Sequence, residues 1–224
     1  MQEALWHINK IDARRLANKG NPLNLQPKND HNMTAPIKLL AICGSTRQSS
    51  SNHHLIRAIT ELSAGIFAVQ QLETLTDIPH FNPDLDMDPG AAPAPVQHFR
   101  ALLAAADAVL ICTPEYAIGV PGTLKNAIDW MVSSMHFSQK PVALITAGTS
   151  GYKAHQSLLG TLLIIESKIA ADAQLVIPSV KTKVSSNGLI TDELTETQVR
   201  KLIRALAGVA AGKDTDLLPA PLLF

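Results

Sequence analysis

Cysteine is almost missing from this chain: Cys43 and Cys112 are the only two among 224 residues. Each lies inside an apolar run, which excludes a disulfide framework and agrees with a reducing cytosol. Net charge is missing too, because 19 Lys and Arg balance 19 Asp and Glu. No basic stripe stands out, so nucleic acid is not an expected partner. No apolar run approaches the length of a membrane span. The first residues carry charges at Glu3, Lys10, Asp12, Arg14 and Arg15 and lack the uninterrupted apolar core of a signal peptide. A cytoplasmic protein with no membrane partner is expected. Several chemical signatures are also lacking. No Gly-Lys-Ser/Thr completes a Walker A loop, no Gly-x-Gly-x-x-Gly marks a dinucleotide site, and no Gly-x-Ser-x-Gly elbow marks a hydrolase. The eight histidines are scattered, and His53 and His54, adjacent on a helix, point apart, so no metal site is expected.

What remains is a chain of the size of one domain, with 46% hydrophobic and 17% charged residues. Residues 1–35 differ from the rest. Gly20 to Asn32 is polar and turn-rich, and a helix is conceivable only around Glu3 to Ala17. Met33-Thr34-Ala35-Pro36 then leads straight into an apolar strand, as at the natural start of an α/β domain. Translation beginning at Met33 is the preferred reading, with the upstream segment a disordered extension or a start-site artefact. An arm that wraps a partner subunit is the alternative.

Residues 36–212 alternate short apolar runs with helical periodicity. Strands are expected at Ile37–Cys43, Phe67–Leu72, Ala108–Thr113, Val142–Ala147 and Gln174–Pro178. Helices are expected at Ser50–Ala64, Pro95–Ala106, Pro121–Ser134, Tyr152–Ala170 and Glu193–Ala211, with a Pro- and Asp-rich loop from Thr76 to Ala92. This alternation implies a parallel sheet covered on both faces. Five strands suit a flavodoxin-like three-layer sandwich of order 2-1-3-4-5, with ligands at the carboxyl ends of the strands beside the switch point. The tail, 213–224, is apolar from Leu217 and either docks on a subunit or frays.

Three loops lie at those carboxyl ends. The first, Gly44-Ser45-Thr46-Arg47-Gln48-Ser49-Ser50-Ser51-Asn52, combines hydroxyls, a cation and a following helix start. Unpaired helix N–H groups and the positive end of the dipole suit a phosphate there. Gly44 allows a tight turn, and a plain N-cap with solvated serines is the bland alternative. The second runs from Thr113 through Pro114, Glu115, Tyr116 and Ala117 to Pro121 and Gly122. Tyr116 offers a planar ring an aromatic face. Glu115 is read as a cap on backbone amides rather than a general base. Lys125 and Asp129 are spaced to pair on a helix, and Trp130 is read as core. The third, Gly148-Thr149-Ser150-Gly151, lets backbone approach a flat ligand and precedes a helix whose positive end favours an anion. A glycine-rich turn with no ligand is its alternative.

Gly-Ser-x-Arg-x-x-Ser-x-Asn at Gly44–Asn52 resembles the phosphate loop of the NADPH-dependent FMN reductase family. Pro-Glu-Tyr-x-x-x-x-Pro-Gly-x-Leu-Lys-Asn-Ala-Ile-Asp-Trp at Pro114–Trp130 is similar to that family's longer, more specific second motif. The resemblance implies FMN as cofactor and NADPH or NADH as co-substrate. Two electrons would pass by hydride transfer to a small acceptor: a flavin, quinone, azo compound or chromate. It implies that Ser45, Arg47, Ser50, Ser51 and Asn52 surround the FMN phosphate. Pro114, Glu115, Tyr116 and Ala117 would line the ribityl chain and ring, and Gly148, Thr149, Ser150 and Gly151 would meet the ring from the other side. It further implies a homodimer or homotetramer. Ala117 departs from the asparagine of many relatives, which bears on substrate preference. No residue is assigned as catalytic, since the cofactor supplies the redox step. Two other classes stay open: a flavodoxin-type electron carrier, which the neutral charge disfavours, and a cofactor-free structural or regulatory domain.

Overall fold

Aliphatic and β-branched runs form five strands, and amphipathic segments between them form five helices. The computed structural model describes residues 35–87, 91–213 and 216–221; the expectations for the N-terminal segment fall on residues outside these. The strands are β1 (Ile37–Cys43), β2 (Phe67–Gln71), β3 (Ala108–Thr113), β4 (Val142–Gly148) and β5 (Gln174–Pro178). The helices are α1 (Ser51–Leu62), α2 (Ala94–Ala105), α3 (Gly122–Asp129), α4 (Tyr152–Ile164) and α5 (Glu193–Ala210). All strands pair in parallel in the order β2-β1-β3-β4-β5, as expected from the sequence.

The three central strands are buried along nearly their whole length, whereas β2 and β5 at the edges are partly exposed. That contrast is the consequence of covering a parallel sheet on both faces. α1 and α5 pack together on one face. The right-handed crossovers from β2 to β5 all run the opposite way from the β1–β2 crossover, which puts α2, α3 and α4 on the other. Leu55, Ile56 and Ile59 of α1 and Val199, Leu202, Ile203 and Leu206 of α5 are each at most 3% exposed. Each such burial contributes roughly 1.5–3 kcal/mol.

Two helices are shorter than their periodicity suggests. α3 ends at Asp129 instead of Ser134, and turns occupy 130–139. The Trp130 carbonyl accepts from Arg100 Nη2 at 2.7 Å, so a side chain from α2 takes an oxygen that the next helical turn would have used. α4 ends at Ile164 instead of Ala170. Glu166 sits at φ 66°, its N–H donates to Leu163 O, and Ser167 N donates to Leu162 O. This is a Schellman ending with glutamate where glycine is usual, so no sequence signal announced it.

The Thr76–Ala92 loop is tied down in its described part by the second motif. Asn126 Oδ1 accepts from Phe81 N at 2.8 Å, and its amide donates to Pro79 O at 2.9 Å. The buried Trp130 indole donates to the same oxygen at 2.8 Å and meets Phe81 edge-on. Arg100 pairs with Asp86 at 2.8 Å, and that guanidinium holds the Asp86 carboxyl below its ordinary range. The tail docks on its own chain: Leu218 N donates to Ile169 O, Ala171 N donates to Asp216 O, and Leu217 bridges Ala170.

Candidate functional site

The register of the sheet brings the loops after β1, β3 and β4 to one edge. Cys43 lies beside Cys112, and Thr113 beside Thr146. At the end of β1, Gly44 N donates to Cys112 O at 2.8 Å. Gly44 is required here for close approach, not for a left-handed turn. A Cβ on it would fall 2.6 Å from Thr113 Cβ and 2.9 Å from Leu124 Cδ2. The loop then runs to Ser50, the N-cap of α1, whose hydroxyl accepts from His53 N at 3.3 Å. Ser51 and Asn52 open the helix with N–H groups that have no carbonyl one turn back. Ser45 is buried, and its hydroxyl accepts from Arg47 N at 3.3 Å.

The loop after β3 is a tight hairpin. Tyr116 and Gly119 exchange backbone hydrogen bonds at 3.0 and 2.9 Å, with Ala117 and Ile118 between them at φ 48° and 62°. Two central residues at positive φ fit a type I′ turn, which favours Asn-Gly. Ala117 and Ile118 thus stand where such a turn would favour Asn and Gly. Tyr116 is half-exposed, with its hydroxyl 3.5 Å from Ser45 Oγ.

Glu115 behaves as a cap. Its Oε2 accepts from Lys153 N at 2.9 Å and Ala154 N at 2.8 Å. The carboxylate therefore occupies the positive end of α4, which does not stand free for an anionic ligand as the sequence suggested. Gly151, at φ 120°, is the N-cap of that helix and turns inward against Thr146 and Val176. One turn on, buried His155 is held on both sides. Gln174 Oε1 accepts from Nε2 at 2.6 Å, leaving Nδ1 to accept from the Thr146 hydroxyl at 3.0 Å. Burial pushes this imidazole's pKa down, partly opposed by the Gln174 bond, so it is neutral at pH 7. Burial pushes both cysteine thiols up, which makes neither a ready nucleophile.

These elements enclose a cavity of about 320 Å³, within the usual range for small-molecule sites. Ser45, Arg47, Ser50, Ser51 and Asn52 line one side. Pro114, Glu115 and Tyr116 line the second, and Gly148 and Thr149 the third. Ala117, Ser150 and Gly151 do not line it: Ala117 is at the hairpin tip and Gly151 faces the β4 strand. Sequence reasoning missed Ser179, Val180, Lys181 and Thr182, which line the cavity from the turn after β5; a polar Ser-x-Lys-Thr run at a strand's carboxyl end was the available signal.

The lining fits a phosphorylated polyol carrying a flat ring. Helix N–H groups, serine hydroxyls and Arg47 are donor groups of the kind that suit a phosphate. Asn52 donates to Ala147 O at 3.0 Å, and its buried Oδ1 has no partner among the described residues. That leaves an acceptor unmet at the cavity wall, the complement of a ribityl hydroxyl. Among the described residues no group of three or more His, Cys, Asp or Glu could hold a metal ion.

Fold and site together define a flavodoxin-like α/β protein with a polar-lined cavity at the sheet's carboxyl edge. A profile of the NADPH-dependent FMN reductase family matches residues 37–182, and the chain belongs to that family. It is 30% identical over 182 residues to an NAD(P)H:quinone oxidoreductase of Solanum tuberosum, spanning 78% of this chain and 93% of the relative. It is 31% identical over 179 residues to an NAD(P)H-dependent FMN reductase of Pseudomonas aeruginosa, spanning 78% and 95%. Among solved structures, the flavoenzyme NAD(P)H:(acceptor) oxidoreductase FerB from Paracoccus denitrificans superposes with a TM-score of 0.70 at 28% identity, covering 81% of this chain and all of that one. The protein is thus an oxidoreductase that uses FMN with NAD(P)H as co-substrate and acts on a small-molecule acceptor.

Proposed function

We propose that the cavity holds FMN with its phosphate at the start of α1 and its ring between the Tyr116 hairpin and the Gly148–Thr149 backbone, and that the acceptor class is quinone. The observation that carries this reading is the convergence of Arg47, the hydroxyls of Ser45, Ser50 and Ser51, and the α1 amides on one wall of a cavity that Tyr116 flanks. The quinone preference is supported by the Solanum tuberosum relative and by the quinone reductase of Escherichia coli, 28% identical over 167 residues.

When bound, FMN supplies hydride acceptance from a reduced nicotinamide and two-electron delivery to the acceptor. The chain's residues position and shield it. The α1 amides, Ser45, Ser50, Ser51 and Arg47 hold the phosphate and fix the cofactor's register. Tyr116 packs along the ring, and its hydroxyl contact with Ser45 ties the two loops. Glu115 keeps the start of α4 in place through the Lys153 and Ala154 amides, so its carboxylate serves as a cap rather than a dedicated base. Neutral His155 ties α4 to β4 and β5 through Thr146 and Gln174.

A homodimer or homotetramer is part of the reading, supported by exposed Val132, Met135 and Ile164 clustered around one shallow cavity. A cytoplasmic setting is supported by two free, buried cysteines. Among the described residues no helix is long and apolar enough to cross a membrane.

The test is an absorbance spectrum of the purified full-length protein, followed by anaerobic NADPH or NADH and a panel of quinone, azo, flavin and chromate acceptors. A bound flavin spectrum that nicotinamide bleaches and quinone restores fastest is expected. Colourless protein that takes up no added FMN overturns the site assignment, and a faster non-quinone acceptor overturns the acceptor class.

A further inference from the structure

The sequence offered one cation for the phosphate, Arg47; the fold brings a second to the same cavity. β5 ends at Pro178, and Ser179 takes a left-handed conformation, φ 53° and ψ 37°, uncommon for a residue with a side chain. The turn it starts is pinned from two directions. Ser179 N donates to Thr149 O at 3.3 Å, joining it to the loop after β4. Farther along, Gly188 backs onto α1, where an added Cβ would fall 2.8 Å from Arg57 Cδ. Within the turn the Thr182 hydroxyl donates to Ser179 O at 2.9 Å and Val180 is buried. Exposed Lys181 therefore leaves a fixed backbone, and it lines the cavity together with Arg47, Ser49 and the start of α1. Among the described residues neither Lys181 nor Arg47 has an ion-pair partner. Glu115, the carboxylate in the lining, is taken by the α4 amides.

We propose that Lys181 is a second phosphate-binding cation of this site, acting with Arg47 on a phosphate monoester. The proposal rests on the reading that the cavity holds FMN. A phosphate monoester carries nearly two negative charges at neutral pH, which one guanidinium does not balance. Two cations without ion-pair partners among the described residues, on separate loops lining one cavity with the start of α1, match that charge. The reaction offers two such groups, the 5′-phosphate of FMN and the 2′-phosphate of NADPH, and the same chemistry binds either.

The test uses full-length protein freed of flavin. FMN and riboflavin are titrated by flavin fluorescence into wild type, Lys181→Gln, Lys181→Arg and the neighbouring Lys183→Gln, and KM is measured for NADPH and NADH at saturating FMN. Lys181→Gln is expected to weaken FMN roughly five- to tenfold while sparing riboflavin, as the loss of a charge-assisted contact requires. The salt dependence of FMN binding should flatten with it, Lys181→Arg should restore both, and Lys183→Gln should match wild type. Unchanged FMN affinity with a raised KM for NADPH but not NADH also upholds the cation's role and assigns it to the nicotinamide phosphate. Unchanged values for both phosphates, or equal loss for FMN and riboflavin, overturns it. Wild-type protein that binds no FMN fails at the cofactor reading itself, which separates the two failures.

Discussion

The end of the cavity at the start of α1 and the end at the Tyr116 hairpin are built on opposite plans. At the first, Gly44 is wedged against Thr113 and Leu124, Ser45 and Asn52 are buried, and the loop is bonded into β3 and β4. At the second, Tyr116 and Ile118 are 52% and 74% exposed, and Ala117 and Ile118 hold left-handed backbone without glycine. The first wall is buried and pre-organised, whereas the second is open and locally strained. Under the proposed function, this contrast assigns cofactor anchoring to the first and acceptor choice to the second, as separable properties.

The largest effect that would sharpen this contrast is expected at Gly44. Gly44→Ala forces a Cβ into Thr113 and Leu124, and overpacking of this kind costs about 1–3 kcal/mol. Denaturant unfolding should show that loss, together with impaired FMN binding. A neutral outcome would mean the phosphate wall is not rigid. Next comes Arg47→Ala, expected to weaken FMN or NADPH by about tenfold or more, about 1.4 kcal/mol. Calorimetric titration showing both affinities unchanged removes Arg47 from the site. The smallest effect belongs to the hairpin. Replacing Ala117 and Ile118 with Asn-Gly relieves two left-handed residues and should raise stability by about 1 kcal/mol. FMN affinity should hold while the KM for quinone changes. Altered FMN affinity with unaltered quinone kinetics would invert the assignment of the two ends.

Much of this arrangement was readable beforehand, for identifiable reasons. β1, β3 and β4 are buried on both faces, so their apolar runs were continuous, and the expected bounds of β1, β3 and β5 agree with those observed. The β1 loop was legible because hydroxyls, a cation and a helix start coincide within nine residues. Glu115 was rightly read as a cap, and Lys125 and Asp129 do pair at 2.6 Å. Illegible were the early ends of α3 and α4, since an arginine from another helix and a glutamate at positive φ leave no local mark. The role of Asn126 and Trp130 in clasping the Pro79–Phe81 backbone was hidden too, because their partners are 45 to 51 residues away.

The amino-acid sequence by itself determined the order of strands and helices, the parallel sheet and the three loops at its carboxyl edge. Periodicity and helix-start chemistry are local properties, carried by residues close together in the chain. Only the tertiary structure decided that Gly44 serves close packing, that Glu115 fills the start of α4, and that Lys181 lines the same cavity as the β1 loop. Each of those depends on contact between segments far apart in sequence, and such contacts exist only once the sheet has set its register.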